Sequence, residues 1–298
     1  MYRLCFPVLL LCYGCAPPAG PSAVPETPPQ RIIATLPSIT EVLFDIGLGN
    51  RVIAVSDFTK YPPETATIEK IGGHYDINRE KIISLKPDLV IVPSENLSLR
   101  RSLSAPALSI PVLAVEHHTL TGVLDSYLLI GGLFGTDILT AAQQKRQELL
   151  DKLNEFETQT QGKTPIRTLI AIDRSRGVGR IQNLFVAGAD SFLSEAAVRA
   201  GGENAAASVK LSAYQISAEG VIHLAPEVII DIQVDGMDTA QNLSDWRSLG
   251  NSVPAVRNNR ILVLTDDFAS IPGPRTPRLI EIIAQYYGSL NEESLVPL

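Results

Sequence analysis

The sequence predicts an α/β protein of two similarly built lobes joined by one long helix, and three observations carry the prediction. The segment Glu80-Lys81-Ile82-Ile83-Ser84-Leu85-Lys86-Pro87-Asp88-Leu89-Val90-Ile91 returns as Glu219-Gly220-Val221-Ile222-His223-Leu224-Ala225-Pro226-Glu227-Val228-Ile229-Ile230, with the apolar positions, the proline and both acids in register. Short apolar, strand-like runs alternate with helix-like segments through most of the chain, the pattern of parallel strands with helices on both faces. Between Thr119 and Gln161 the strand signal disappears and helix formers take over. A duplicated unit favours two half-size lobes over one large core.

The elements follow in order. Arg31–Leu36 is a β-rich run, Ile39–Ile46 a helix closed by Gly47 and Gly49, and Val52–Ser56 and Lys70–Gly73 are short strands. The first repeat copy supplies a short helix that stops before Pro87 and a strand at Asp88–Pro93; Pro111–Glu116 adds another strand. Leu124, Leu128, Leu129 and Leu133 sit at helical spacing, and Asp137–Phe156 is rich in Ala, Gln, Leu, Lys and Glu. This helix reads as a rigid spine, ended by Gly162-Lys163-Thr164-Pro165. The second half opens with a strand at Ile166–Ile172, an Arg- and Gly-rich loop at Asp173–Asn183 and a helix at Asp190–Ala200. After the second repeat copy come a short helix around Trp246 and Leu249, a strand at Arg260–Leu264 and a terminal helix at Pro274–Tyr287. The expected boundaries are residues 31–135 for the first lobe, 136–162 for the linking helix and 163–298 for the second lobe.

Residues 1–15 resemble a bacterial lipoprotein signal: Arg3 is its one charge, Phe6–Cys12 is apolar but too short to span a bilayer, and Gly14 precedes Cys15, the expected lipidation site. Cys12 and Tyr13 depart from the usual residues of that box. The alternatives are an ordinary cleaved secretion signal or an uncut anchor, the latter opposed by Pro7. Residues 16–30 are proline-rich with few bulky apolar side chains and read as an extended tether. All three cysteines lie in the leader, so the expected body has neither a disulfide nor a thiolate metal site. The net charge of −7 disfavours nucleic acid as a partner, which needs a basic face.

The ordered set Arg31-Ile32-Ile33, Pro37-Ser38-Ile39-Thr40-Glu41, Val55-Ser56-Asp57-Phe58, Tyr61-Pro62-Pro63, Gly72-Gly73, Lys86-Pro87-Asp88-Leu89-Val90, Ala200-Gly201-Gly202-Glu203-Asn204 and Pro272-Gly273-Pro274-Arg275 resembles the substrate-binding proteins of metal-chelate ABC importers. The resemblance runs from about Arg31 to Tyr287. It implies two Rossmann-like, parallel-sheet lobes, a spine helix, a ligand cleft between the lobes and limited closure on binding. It also implies one surface glutamate per lobe that docks with arginines of the permease dimer, and these positions match Glu80 and Glu219. Read alone, each is a favourable acid in the first turn of a helix.

Large chelates are gripped by aromatic faces, a few polar groups and sometimes an arginine on an anionic edge. The loops after the strands therefore hold the candidate ligand-binding residues: Phe58, His74, Tyr75 and Ser94 in the first lobe, and Arg174, Arg176, Asp267, Phe268 and Arg275 in the second. The resemblance makes His74-Tyr75 a place for a ring that stacks on a corrin or ligates a metal; read alone it is a solvated histidine beside a packed tyrosine. Glu95 and Asn96 share the Ser94 loop. His117 and His118, adjacent and pointing to opposite faces, read as loop decoration. Asp173 pairing with an arginine, and a structural Arg275 at a helix start, are the competing readings of those residues.

No G-x-S-x-G, H-E-x-x-H, Walker loop or G-x-G-x-x-G after the first strand is present, and the body lacks a cysteine nucleophile, so an enzyme is the weaker reading. A lipid-anchored sensor and a free metal-ion receptor are further alternatives, the last weakened by only four histidines. The sequence thus points to an extracytoplasmic, membrane-tethered, monomeric receptor. It would capture a corrinoid such as cobalamin, a ferric siderophore or, third, haem, without a covalent cofactor, and pass it to an ABC permease and its ATPase.

Overall fold

The computed structural model describes residues 27–73, 76–234 and 239–293. The segment expected to be a signal, Cys15, most of the expected tether, His74 and Tyr75 lie outside the described residues.

The first lobe contains β1 (Ile32–Ala34), α1 (Pro37–Asp45), β2 (Val52–Val55), β3 (Glu69–Lys70), α2 (Arg79–Ser84), β4 (Leu89–Pro93), α3 (Leu97–Leu103) and β5 (Val112–Val115). Its strands form one parallel sheet ordered β3-β2-β1-β4-β5. Both faces are covered, so β1 and β4 are buried along their whole length and read as unbroken apolar runs. Pro37 opens α1 at a position where a missing N–H costs nothing.

Two helices lead out of the lobe: α4 (Leu120–Gly131), capped by the Thr119 hydroxyl on Gly122 N–H, and α5 (Thr136–Thr160). At 1.5 Å per residue α5 is about 37 Å long. Its buried Ala142, Leu149 and Leu153 form one apolar stripe, while Gln144, Lys145, Gln147, Glu148 and Asp151 bond along the outer face. α5 is the spine. It packs on α4 from the first lobe and on helices of the second.

The second lobe contains β6 (Ile166–Ser175), β7 (Gln182–Ala187), α6 (Phe192–Arg199), β8 (Gly202–Asn204), β9 (Ala213–Ile216), α7 (Ala218–Leu224), β10 (Val228–Ile232), α8 (Thr239–Arg247), α9 (Pro254–Arg257), β11 (Ile261–Leu264) and α10 (Thr276–Glu293). The sheet runs β11-β10-β6-β7-β9, with β8 also paired to β6. It corrects the expectation of a second all-parallel sheet: β7 is antiparallel to both β6 and β9. The cause is local. β6 continues through Ser175, and the predicted loop narrows to a turn that sends the chain straight back as β7, and a short turn permits only antiparallel pairing.

The repeat is visible in the backbone. α2 is capped by Asn78 on Lys81 N–H at 2.9 Å and α7 by Ser217 on Gly220 N–H at 3.3 Å. Each is followed by a left-handed residue, Lys86 (φ 48°) or Ala225 (φ 45°), immediately before the repeated proline. That turn delivers each chain to the strand beside the lobe's first strand, β4 next to β1 and β10 next to β6.

Each lobe has its own outer-face cluster, around Val90 and Ile82 in the first and around Trp246 and Ile229 in the second. The inner faces are not separate cores. Ile32, Leu43 and Tyr127 belong to one continuous apolar body with Leu149 and Leu153 of the spine and Ile170, Ala196 and Leu279 of the second lobe. Two lobes fused through their inner helices have little freedom to move independently, because separating them would expose that shared apolar surface. Among the described residues no helix is long and apolar enough to cross a membrane.

Candidate ligand-binding site

A cavity of about 390 Å³ lies between the lobes. Its first-lobe wall comes from Leu36, Pro37 and Ser38 after β1, Phe58 and Lys60 after β2, Glu95 after β4, and His117 and His118 after β5. Val234 after β10 and Asp267, Ser270, Ile271 and Pro272 after β11 form the opposite wall. Every contributor follows the carboxyl end of a strand, where open α/β sheets place their ligand sites. Phe58 is 62 % exposed, so its ring is free to meet a flat, partly apolar partner. Lys60 contributes a cation whose charge also acts on Asp267 of the same cavity.

The two histidines are held by different neighbours. His117 is buried, its Nδ1 lies 2.9 Å from Ser38 Oγ, and its Nε2 is buried without a hydrogen-bond partner. Burial pushes its pKa down to about 4, which keeps the ring neutral. His118 Nε2 lies 3.2 Å from Glu95 Oε1, and that hydrogen bond raises the pKa of the imidazole. The reading of this pair as loop decoration is therefore corrected. Pointing to opposite faces lets one ring pack under the β1–α1 loop and the other face the Glu95 loop, while both line the same cavity.

Asp267 faces the cavity and is held by Arg275, with Nη1 donating to Oδ1 at 2.8 Å and Nη2 to Oδ2 at 3.2 Å. The guanidinium holds this carboxyl below the usual carboxylate range. The same guanidinium crosses the seam to Glu41 of α1, where Nη2 donates to Oε1 at 2.5 Å and Nε to Oε2 at 3.1 Å. It also sits 4.4 Å above the ring of Tyr61 from the first lobe. Of the two readings of Arg275, ligand contact and structural residue at a helix start, these contacts support the structural one: it bridges the lobes and also positions a cavity carboxylate. On the other flank, Phe192 N–H donates to the His118 carbonyl at 2.6 Å and Leu120 N–H to Glu195 Oε1 at 3.0 Å. The cavity is thus tied on both sides.

The other expected contacts are not brought together here. The Arg174 side chain is fully buried in the second lobe, with Nη2 2.9 Å from Asp231 and Nη1 2.7 Å from Asp245. Trp246 donates to the same Asp231 at 2.7 Å, and Asp245 accepts from the N–H groups of Gly177 and Gly179, both at 2.7 Å. Charges taken this far from water persist only when each is paired, so Arg174 shapes the β6–β7 turn instead of reaching a ligand. Arg176 lies 3.8 Å from Asp173 and is not in the cavity wall. Phe268 is buried beneath Arg278, whose guanidinium is 4.6 Å from its ring. Ser94 stands beside the cavity, with its hydroxyl donating to Glu95 at 3.4 Å.

Glu80 and Glu219 are both exposed in the first turns of α2 and α7. Glu219 opens onto a shallow depression shared with Arg180, Gln182 and Asn183. Its carboxyl is held low by its own backbone N–H and by Ser217.

Known proteins share this architecture. The vitamin B12-binding protein of Vibrio cholerae is 27 % identical over 259 residues, covering 87 % of this chain and 89 % of that one. An uncharacterized ABC transporter substrate-binding lipoprotein of Bacillus subtilis, YvrC, is 27 % identical over 268 residues, covering 86 % and 79 %. Among solved structures, the periplasmic vitamin B12 binding protein BtuF of Vibrio cholerae superposes with a TM-score of 0.74 at 26 % identity, covering 89 % of this chain and 99 % of that one. The periplasmic heme-binding protein RhuT from Roseiflexus gives 0.71 at 25 %, covering 87 % and 98 %. Residues 32–268 match the family described as periplasmic binding protein. With that match across both lobes, this chain belongs to the periplasmic binding protein family, a family of extracytoplasmic binding proteins and not of enzymes.

Proposed function

We propose that the protein captures a metal chelate in the interlobe cavity and presents it to an ABC permease dimer. A corrinoid is the first candidate, a ferric siderophore the second and haem the third. The observation that carries this reading is the cavity itself: loops from both lobes build it, an exposed aromatic ring and apolar walls suit a flat macrocycle, and Lys60, Asp267 and the His118–Glu95 pair suit its polar edge. The relatives that bind vitamin B12 or haem support the same class of ligand. His74 and Tyr75 are proposed as further ligand contacts, Glu80 and Glu219 as the permease-docking pair, and Cys15 as the lipid attachment.

Calorimetric titration of the full-length protein with cyanocobalamin, aquacobalamin, haemin and ferric siderophores, using metal-free chelators as controls, tests the reading. Saturable binding of one class at micromolar concentration or below is expected. Phe58→Ala should weaken it about tenfold, equivalent to about 1.4 kcal/mol. A folded protein that binds none of them refutes the proposal.

A further inference from the structure

The loops after β2 and β3 are bonded to each other on both sides of Phe58. Asp57 N–H donates to the Gly72 carbonyl at 3.0 Å, and Gly72 N–H donates back to Asp57 Oδ1 at 3.0 Å. Lys70 Nζ donates to the Thr59 carbonyl at 2.8 Å, and the buried hydroxyls of Ser56 and Thr59 lie 3.0 Å apart. The backbone carrying Phe58 is therefore held, while Phe58 itself is 62 % exposed and lines the cavity. Gly73 limits the ring. It is buried, its N–H donates to Asp76 Oδ1 at 3.0 Å, and a Cβ at this position would lie 3.0 Å from Phe58 Cε2 and 3.4 Å from Cζ. The ring edge thus rests on bare backbone, a close approach that a residue without a side chain allows.

Conformation is not what calls for glycine here. The left-handed φ belongs to Gly72, at 95°, and not to Gly73. Space is the constraint. Non-bonded carbon atoms pack best at about 3.5–4.0 Å, so a methyl group on Gly73 crowds the ring, and with its backbone held the ring can only turn away. The same methyl would lie 2.6 Å from Asp76 Oδ1, but Asp76 is exposed and its carboxylate is free to swing aside.

We propose that Gly73 is a positioning residue for ligand recognition: its missing side chain seats the edge of Phe58, and that seat fixes the angle at which the aromatic face meets a flat ligand in the cavity. The loops after β2 and β3 then act as one unit in binding, although only the first contributes the ring.

This inference rests on the chelate reading, through Phe58, and the test separates the two. Full-length wild type, Gly73→Ala, Phe58→Ala and the double variant are each titrated calorimetrically with cyanocobalamin, haemin and a ferric hydroxamate, and each is unfolded in urea to show that it is folded. Gly73→Ala should bind about three- to tenfold more weakly than wild type, approaching the loss expected of Phe58→Ala. In the Phe58→Ala background the ring is gone, and adding Gly73→Ala should change affinity by less than about twofold. A general defect of the loop would weaken binding in both backgrounds. Equal losses in both backgrounds, wild-type affinity in Gly73→Ala, or a crystal structure of Gly73→Ala with the Phe58 ring unmoved overturns the inference and leaves the chelate reading standing. Absence of any heat with every chelate overturns both.

Discussion

Arg275→Ala removes the guanidinium that binds Glu41 across the lobe seam, and the consequence follows from where each partner sits. The Glu41 side chain is 1 % exposed and Arg275 16 % exposed, so the arginine keeps some contact with water and the carboxylate keeps almost none. Their pKa shifts reflect this asymmetry. Two carboxylates stabilise the guanidinium cation, whereas burial pushes the Glu41 carboxyl above its ordinary value in spite of Arg275. Stranding a buried charge by deleting its partner costs about 3–5 kcal/mol. Glu41→Gln strands nothing, because Arg275 retains Asp267 and partial solvation, and the loss is the difference between charged and neutral hydrogen bonds, about 1–2 kcal/mol.

The two variants also differ in pH dependence. A carboxyl whose folded value lies above its unfolded one contributes stability below the unfolded value, near 4.5, and loses it as pH rises through the folded value. Without Arg275 the Glu41 value rises further. The Arg275→Ala penalty should therefore be largest near pH 8 and shrink toward pH 5, whereas the Glu41→Gln penalty should be larger at pH 5 than at pH 8, because only the wild-type carboxyl loses stability as pH rises through its folded value. Urea unfolding of the full-length wild type, both single variants and the double variant at pH 8 and pH 5 measures this. The double variant should cost less than the sum of the singles. Equal costs for the two single variants, or an Arg275→Ala penalty that does not change with pH, would refute the interlobe bridge.

Charge reversal at Glu80 and Glu219 should leave chelate affinity unchanged and abolish ligand-dependent stimulation of the permease's ATPase in proteoliposomes; a matching loss of affinity would contradict the docking role. Arg174→Ala should destabilise the protein by about 3–5 kcal/mol, because Asp231 and Asp245 lose their counter-charge, while the folded fraction binds ligand with wild-type affinity. That pair of results needs only a denaturation curve and a titration, and weakened binding at full folding would restore Arg174 as a ligand residue. His117 is buried neutral, so stability should be fully present above its unfolded value of 6.5 and fall as pH drops toward about 4, by roughly 3 kcal/mol in all. His117→Gln should flatten that acid limb, and an unchanged pH profile would count against it.

The cavity shows where sequence reasoning reached and where it stopped. The rule that ligands gather after strand carboxyl ends led to the loops holding Phe58, Glu95, His117, His118 and Asp267, all of which line the cavity. Within those loops, residue type misled. Arg174 and Phe268 looked like ligand contacts and lie in the interior, whereas the paired histidines looked incidental and face the site. Lys60 drew no attention because an isolated loop lysine has no local signature. Loop sequence carries no record of which way a side chain turns when the partner that captures it, Asp231 for Arg174 or Glu41 for Arg275, lies dozens of residues away or on the other lobe.

The duplicated unit, the strand–helix alternation and the spine were legible in the sequence, because these rest on local periodicity, caps and prolines that act within a few residues. The matching left-handed turns at Lys86 and Ala225 show how far that local information extends. Tertiary packing settled that the inner faces merge into one apolar body and that Glu41, Arg275 and Asp267 meet at the seam. Those outcomes depend on burial and on pairings between distant segments. Whether a charge ends at a ligand or inside an ion pair is settled by the desolvation it meets after the lobes have packed.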